Sequence, residues 1–388
     1  MLIGRRITVI GAGVGGLAVA RALALHGAEV TVLEQAEAIR EVGAGIQISP
    51  NGGRVMQALG LGEDLVRSGP RCAGVELLDG ETGARVVRLD LARLRPQEDY
   101  RLLHRARLIE ILAEGARDAG VQIRLLQKIA AVDLAGPRPR LVTEQGAEIE
   151  TDLLIGADGL HSLTRAALNG KVAPFFTHQV AWRAVIPCAE GEPPVAQVFM
   201  GAGKHLVSYP LGHRLRNIVA VEERRAWVEE SWSLRDDGLT LNAAFEDFCP
   251  QVRGWLTQVD QPWLWGLFRH PVAGRWFGQG AVILGDAAHP TLPFMAQGAS
   301  MALEDAWVLA AMLARHDEDA EAFAAYQALR AERCAAIVEA ANRNARNYHL
   351  SGVQRAVGHL GMRLLSQMMP EKLVGRFDWI YGHDVTRV

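Results

Sequence analysis

The first 34 residues impose the tightest constraint on what this chain can fold into. Ile7 to Ile10 form a β-branched, apolar run of strand type, and GAGVGG (11–16) follows at once. An Ala- and Leu-rich helical stretch spans Val14 to His26, and Gly27 is placed to close it. Val30 to Leu33 form a second strand that ends at Glu34. This is a βαβ unit in about 30 residues. Within the run Gly11, Gly13, Gly15 and Gly16, three glycines have separate tasks. Gly11 permits the tight turn, Gly13 lets backbone N–H groups approach a pyrophosphate, and Gly16 lets helix and strand pack closely. The helix N-terminus adds partial positive charge for the phosphates. Glu34 can accept from a ribose 2′-hydroxyl, and its charge disfavours a 2′-phosphate there. The pattern implies an ADP-type dinucleotide, without distinguishing NAD from FAD.

The rest of the composition narrows the field. At 388 residues and 49% hydrophobic, the chain is long enough for two or three domains with real cores. Forty-one basic against 44 acidic residues leave a net charge of −3, so no global field favours nucleic acid or an anionic membrane. Cys72, Cys188, Cys249 and Cys334 are far apart and form no CxxC pair. Neither a disulfide framework nor a metal site is expected, and a reducing cytoplasm fits. The N-terminus runs straight into a strand, and no apolar stretch approaches the roughly 20 residues needed to span a bilayer. A protein with neither signal peptide nor membrane anchor is expected.

Along the chain, the spacing predicts a helix near Gly53–Leu59 with its cap region at Asn51, and strands over 74–89 around a GETG turn. A helix is expected within 102–120, then short strands over 121–151. Leu153–Ile155 read as a buried strand, Asp158-Gly159 as a turn, and Ser162 as a helix cap. From 172 to 268 the sequence becomes more aromatic and more alternating, with seven of nine tryptophans between Trp182 and Trp276, which argues for a mainly sheet second domain. Core packing is the expected task of most of these tryptophans. Near 281 the earlier style returns: Val282–Leu284 as a strand, Gly285-Asp286 ending it, and a long apolar helix from Gly298–Ala299. Helices follow from 320 to 367, and their apolar faces are candidates for homodimer pairing.

Taken together, GAGVGG with Glu34, IGADGLHSLTR (155–165) and LGDAAHP (284–290) resemble the single-component FAD-dependent aromatic hydroxylases, which include salicylate, 3-hydroxybenzoate and 6-hydroxynicotinate hydroxylases. The resemblance extends to the closing FDWIYGHD (377–384). It implies an α/β fold: a Rossmann-like FAD-binding domain of the glutathione-reductase type, an inserted mainly β substrate domain, and C-terminal helices. The expected division is 1–70, 97–171 and 269–350 for FAD, 71–96 and 172–268 for substrate, and 351–388 as the helical tail. The resemblance also implies non-covalent FAD, with NADH or NADPH and O2 as co-substrates.

The family places the aspartate of the GD segment, here Asp286, on the ribityl chain, with the helix from Gly298 and Ala299 presenting backbone N–H groups to the flavin. Asp158 matches the DG aspartate, for which a turn-and-cap role is equally available. Arg105 matches the arginine along the flavin's phosphate and ribityl region, with Arg107 as a neighbour easily confused with it. Gln47 falls where members place a side chain near the flavin. Glu34, Gln35 and, approximately, Ile129 align with adenosine-side contacts.

By the same resemblance, NAD(P)H reduces the flavin, oxygen adds at carbon 4a, and the hydroperoxide transfers its distal oxygen to an electron-rich ring. A phenolate is a far better nucleophile than a phenol, so a base that takes the phenolic proton is worth ~10²–10⁴-fold. In GKHLVSYPL (203–211), strand alternation puts His205, Val207 and Tyr209 on one face, His205 and Tyr209 roughly 13 Å apart along the backbone. Relatives carry a His-x-x-x-Tyr pair here in substrate-binding and base roles, which makes His205 and Tyr209 the candidate catalytic residues. Pro293 and Phe294 stand where relatives place Gln or His beside the ring. Both are apolar, which points to a less polar or differently substituted substrate.

Other readings share the scaffold: hydroxylases of quinone precursors, of urate or of tetracycline-type substrates. A halogenase lacks its WxWxIP pattern here, AWRAVIP being only partial. A plain NAD dehydrogenase leaves the DG and GD segments unexplained. A non-catalytic binding protein need not keep GAGVGG, Glu34 and Asp286 together.

Overall fold

The computed structural model describes residues 2–39, 44–225 and 234–388. The start of the glycine-rich stretch (Glu41 to Gly43) and two of the seven tryptophans, Trp227 and Trp232, lie outside the described residues.

The opening unit forms as its sequence dictates: β1 (Arg6–Ile10), α1 (Val14–Leu25) and β2 (Glu29–Leu33). β1 sits inside a six-stranded sheet in the order Phe277–Gly278, Ala281–Ile283, Leu153–Gly156, β1, β2, Gln122–Arg124, parallel except at the first edge strand. Parallel strands covered on both faces need apolar side chains throughout, and Val9, Ile155 and Val282 are completely buried. Gly16 is indispensable here, because a Cβ would stand 2.0 Å from the Gly11 carbonyl oxygen. Gly27, at φ +90°, ends α1 in the left-handed region. The helix expected at Gly53–Leu59 instead runs Pro50–Ala58 with Ser49 as N-cap. Proline at the first helical position is pre-set for that conformation and loses no needed N–H.

The second large sheet has seven strands, ordered Trp263–Arg269, Phe175–Pro187, Leu215–Glu223, Lys204–Gly212, Val195–Gly201, Gly74–Asp79, Arg85–Leu89. Its two faces do different things. Leu78, Trp182, Phe199, Leu206 and Ile218 pack on one face with Leu241, Phe245, Phe248 and Val252 from two short helices, Gly238–Ala244 and Pro250–Leu256. The alternate residues, in register across the strands as Val87–Leu77–Val198–Val207–Val219, turn to the other side. Trp182 and Trp276 are fully buried core residues, as expected of most tryptophans in this region.

Behind the first sheet, Gly298–Arg315 packs on α1, and the 30-residue helix Asp319–Tyr348 packs on it in turn. A buried charge cluster joins them. Arg330, with no exposed surface, pairs with Glu304 at 2.6 Å and with Asp305 at 2.8 Å. Asp305 also binds His289 at 2.5 Å and accepts from the Gly285 amide at 3.0 Å. Gly352–Met368, Pro370–Gly375 and Asp378–Tyr381 close the chain. The first of these leaves Val353, Val357, Leu360 and Met368 exposed. No described helix is long and apolar enough to cross a membrane.

Burial alone raises the Asp305 carboxyl pKa, but His289 and Arg330 beside it bring it down to about 2. Because the folded value lies below the unfolded one, this contribution is full above about pH 4 and is lost as pH falls towards 2. Arg330→Met removes the cation shared by two buried carboxylates, leaving Glu304 with Arg333 and Asp305 with His289, and should cost about 3–5 kcal/mol. Urea denaturation at neutral pH measures the loss, and a difference under about 1 kcal/mol would contradict the buried charge assignment.

Candidate functional site

The glycine turn presents an open cradle. Gly13 is the N-cap of α1 and makes no side-chain cap, and a Cβ placed on it meets no atom within 4 Å. Free amides at the start of a helix, unobstructed by any side chain, fit a pyrophosphate. Gly11, at φ +99°, lies so close to Ala157 that a Cβ would stand 2.5 Å from its carbonyl oxygen. Gly15 serves packing: a Cβ there would meet Leu284 at 2.5 Å and Ala302 at 3.3 Å. Glu34 accepts from the Ala12 amide at 2.7 Å and the Ala36 amide at 2.9 Å. It therefore stitches the turn to the end of β2, and each oxygen keeps a lone pair for a ribose hydroxyl. Gln35 is exposed beside it, and Ile129, on its own short strand, is half-buried against the core.

Asp286 lies on a 3-10 turn, Gly285–Ala287, directly after the strand Ala281–Ile283. Its carboxyl is accessible to solvent yet ringed by protein, and it makes no hydrogen bond among the described residues. Burial raises its pKa, while His289 and Arg105 oppose that rise. An unengaged carboxylate in a cleft suits a sugar hydroxyl, which donates without neutralising it. Arg105 opens the helix Arg105–Asp118 close enough to be felt by Asp286, whereas Arg107 turns away to Glu110 and Ser68. That separates the two arginines, and Arg105 is the one at the cleft. Gly298 and Ala299 begin their helix without a side-chain cap, with only Thr291 within 4 Å of a Cβ on Gly298. The residues present therefore fit FAD from the pyrophosphate to the ring.

Asp158 has a different occupation. It accepts from the Ser162 hydroxyl at 2.5 Å and from the Leu163 amide at 2.9 Å, capping Leu163–Asn169. Its carboxylate is already spent on local structure.

A cavity of about 500 Å³ lies between the open face of the seven-stranded sheet and the C-terminal helices. Val75, Leu77, Val198 and Val207 form its floor, Met362, Leu365, Phe377 and Tyr381 its roof, and Gln47, Tyr100, Pro293, Phe294 and Tyr348 parts of its sides. His205 and Tyr209 flank Val207 on the same face, but both are sealed behind its lining, His205 completely. They belong to separate neighbourhoods. Tyr209 packs with Cys72, Tyr100 and Leu102 beside Gln47, which accepts from the Tyr100 hydroxyl at 2.7 Å. His205 lies edge-on to Phe294 at 5.0 Å and beside Tyr348 at 5.3 Å. Its Nδ1 is 2.7 Å from Nε2 of His349, whose Nδ1 is 2.6 Å from Glu223. Its Nε2 has no partner among the described residues. Burial, reinforced by His349, pushes the His205 pKa well below its usual 6.5. Phe294 thus both lines the cavity and packs against the histidine.

Sequence reasoning missed Tyr100, Tyr348, His349 and Glu223. Each reaches the site through tertiary contact, His349 being 144 residues from His205, so no local spacing marks them. The His289, Asp305 and Cys334 side chains also converge within 4.8 Å, but Arg330 donates into the same group and supplies the positive charge. The four cysteines are buried and unbridged.

Residues 5–341 match the family model described as FAD binding domain. The chain belongs to that family. A 3-amino-4-hydroxybenzoate 2-monooxygenase from Streptomyces cremeus is 34% identical over 97% of this chain and 95% of its own. A 3-hydroxybenzoate 6-hydroxylase from Polaromonas naphthalenivorans is 33% identical over 98% and 96%. Among solved structures, Klebsiella pneumoniae HpxO complexed with FAD and uric acid superposes with a TM-score of 0.83 at 25% identity, over 96% of this chain and 95% of that one. This family member is an FAD-dependent aromatic monooxygenase.

Two glycine substitutions separate binding from folding. Gly13→Ala adds a methyl where no protein atom stands, so the fold should hold while FAD affinity falls at least about tenfold, some 1.4 kcal/mol. Gly16→Ala collides with backbone and should lose both stability and flavin, beyond the usual ~1–3 kcal/mol of overpacking. Flavin titration followed by thermal melting of each apoprotein distinguishes them; equal melting temperatures would refute the contrast.

Proposed function

We propose that the FAD-loaded chain hydroxylates a small phenolic or hydroxy-heteroaromatic acid with NAD(P)H and O2, and that His205 takes the phenolic proton. Bound flavin supplies the activated oxygen. The protein's share is to exclude water, hold the ring and make it electron-rich. A cavity of about 500 Å³ is of the size that encloses a small ligand. Its apolar floor and its roof of C-terminal helices give a bound ring an apolar setting, and a substrate filling that space would displace water from the reacting centre and suppress loss of oxidising equivalents as peroxide.

The observation that carries the base assignment is the unpartnered, fully buried Nε2 of His205. A buried polar atom left unsatisfied costs about 1–3 kcal/mol, a cost relieved when a substrate hydroxyl donates to it. Because the His205 pKa lies well below 6.5, the ring stays neutral and proton-accepting through ordinary pH. Phe294 and Tyr348, which line the cavity and touch His205, must yield slightly for that contact. Tyr209 differs: burial pushes its phenol far above the usual range, so it remains a donor. With Gln47 and Tyr100 it forms a polar corner suited to orienting the substrate's second polar group. The wholly apolar Pro293–Met295 turn favours the flat ring rather than its substituents.

The 3-hydroxybenzoate and 3-amino-4-hydroxybenzoate names of the relatives support a hydroxybenzoate-like acid. The test is a panel of hydroxybenzoates, hydroxypyridine carboxylates and urate, with NADH and NADPH oxidation followed and peroxide measured in parallel. Coupled, ligand-stimulated turnover should appear for an aromatic acid; its absence across that class would overturn the reading. His205→Ala should lower coupled hydroxylation by about 10²-fold or more while flavin content stays constant. Equal loss of both would remove the base. The sign of the pH effect follows from the neutral form being active: the acid limb of kcat/KM should lie well below pH 6.5.

A further inference from the structure

His205 is one end of a chain of polar groups that reaches the surface. Glu223 is half-exposed, its side chain 52% accessible, whereas that of His349 is only 3% accessible and His205 is wholly enclosed. The hydrogen-bond pattern fixes the tautomers. An ionised Glu223 accepts only, so Nδ1 of His349 carries a hydrogen and donates to it. Neutral His349 then has a bare Nε2, which accepts from the Nδ1–H of His205. That leaves His205 Nε2 bare, and it is the one ring nitrogen of the pair without a partner among the described residues. Each donor is matched to an acceptor, and the unmatched lone pair is at the inner end, on the ring nitrogen that does not face His349.

The segment is also held in place. The Gly203 amide donates to the His349 carbonyl at 3.3 Å, and the Glu223 amide to the Gly203 carbonyl at 2.9 Å, so one hairpin turn pins both outer members. Nearby ionisable groups are engaged elsewhere or stay neutral. Lys204 pairs with Asp247 at 2.8 Å on the opposite face, Glu222 pairs with Arg224 at 3.0 Å, and burial raises the Tyr348 pKa to about 12.

We propose that His349 and Glu223 are a proton relay, carrying to solvent the proton that His205 takes from the substrate; this rests on the reading of His205 as the base. The steps balance without any redox change. The phenolic O–H breaks as an N–H forms at Nε2 of His205. The Nδ1–H of His205 passes to Nε2 of His349, and the Nδ1–H of His349 passes to Glu223, which releases its proton to water. Run backwards, the same path returns a proton to the product oxygen and resets both rings. His349 and Glu223 touch no substrate and are positioning residues for this transfer. Without them His205 is a base with no outlet, since its other nitrogen is walled off from water.

The test uses the FAD-loaded protein and 3-hydroxybenzoate, mixed rapidly in weakly buffered solution containing a pH-indicator dye. Binding is read from the flavin spectrum and proton release from the dye. Wild type should release one proton per bound ligand. His349→Ala should slow release at least about tenfold, with flavin content and ligand affinity kept and with added imidazole restoring the rate. Glu223→Gln, a surface change that leaves the core untouched, should slow release in the same direction. Release at the wild-type rate in both variants, with His205→Ala slow, would overturn the relay and leave the base assignment standing. Undiminished release in His205→Ala, or none from bound ligand in wild type, would overturn both. Should His349→Ala fail to fold, Glu223→Gln decides.

Discussion

The structure depends on a charge cluster that no solvent reaches. Glu304, Asp305 and Arg330 have no exposed surface, and leaving any one of them alone would bury a bare charge. Together they constrain more than two helices. Asp305 holds the Gly285 amide and His289, and so fixes the turn on which Asp286 stands. Glu304 binds Asn51 at 2.7 Å and Arg333 at 2.9 Å, and Arg333 reaches the Ile380 carbonyl at 2.8 Å. One buried knot thus registers the flavin cleft, the helix after Ser49 and the roof of the cavity against each other. Replacing its members with apolar residues would spare the desolvation cost, but it would also remove the directional bonds that position these three parts.

The seven-stranded sheet solves the next problem, which is to build a second core on one face and leave a cavity on the other. On one face large aromatics interdigitate with two short helices, as in any sheet that must be covered. On the other, valines, leucines and alanine make a smooth apolar floor that leaves a void under the C-terminal helices. Polar groups flank that floor, Tyr209 with Asn217 at one end, His205 at the other, and Arg183 beyond Val219 in the row between them. Asn217 accepts from the Gly45 amide at 2.6 Å, which ties the sheet to the strand bearing Gln47. The polar corner and the flavin-side strand are consequently placed by one hydrogen bond.

The sequence was legible where chemistry is local. The βαβ unit, the close packing at Gly11 and Gly16, the open space at Gly13, the Asp286 turn and the helix start at Gly298 all depend on spacing within a few residues, and each is present. Ser162 as a cap was readable for the same reason, and its partner Asp158 turned out to share that task. The helix before Ala58 began at Pro50 because proline's fixed φ outweighs the capping tendency of Asn51. Strand alternation placed His205 and Tyr209 on one face correctly, yet it could not show that Val207 alone of the three reaches the void. Alternation sets which side a residue faces; packing by Phe294, Tyr348 and Tyr100 decides what it touches. His349 and Glu223 carry no motif, because their pairing is created only when a helix end meets a hairpin.

That difference bears on the proposal that His205 is the base. An exposed histidine is half-protonated near pH 6.5 and is hydrogen-bonded to water. Enclosure makes His205 a neutral acceptor at any ordinary pH, but enclosure also strands whatever proton it gains, because an imidazolium in an apolar wall is costly. For His205 to serve as the proposed base, that charge must leave quickly. In the proposed relay, the 2.7 Å and 2.6 Å contacts through His349 to Glu223 are the path of that departure. Enclosure of a base and proton exchange with solvent are opposing demands, and the proposed line of two imidazoles ending in a surface carboxylate reconciles them.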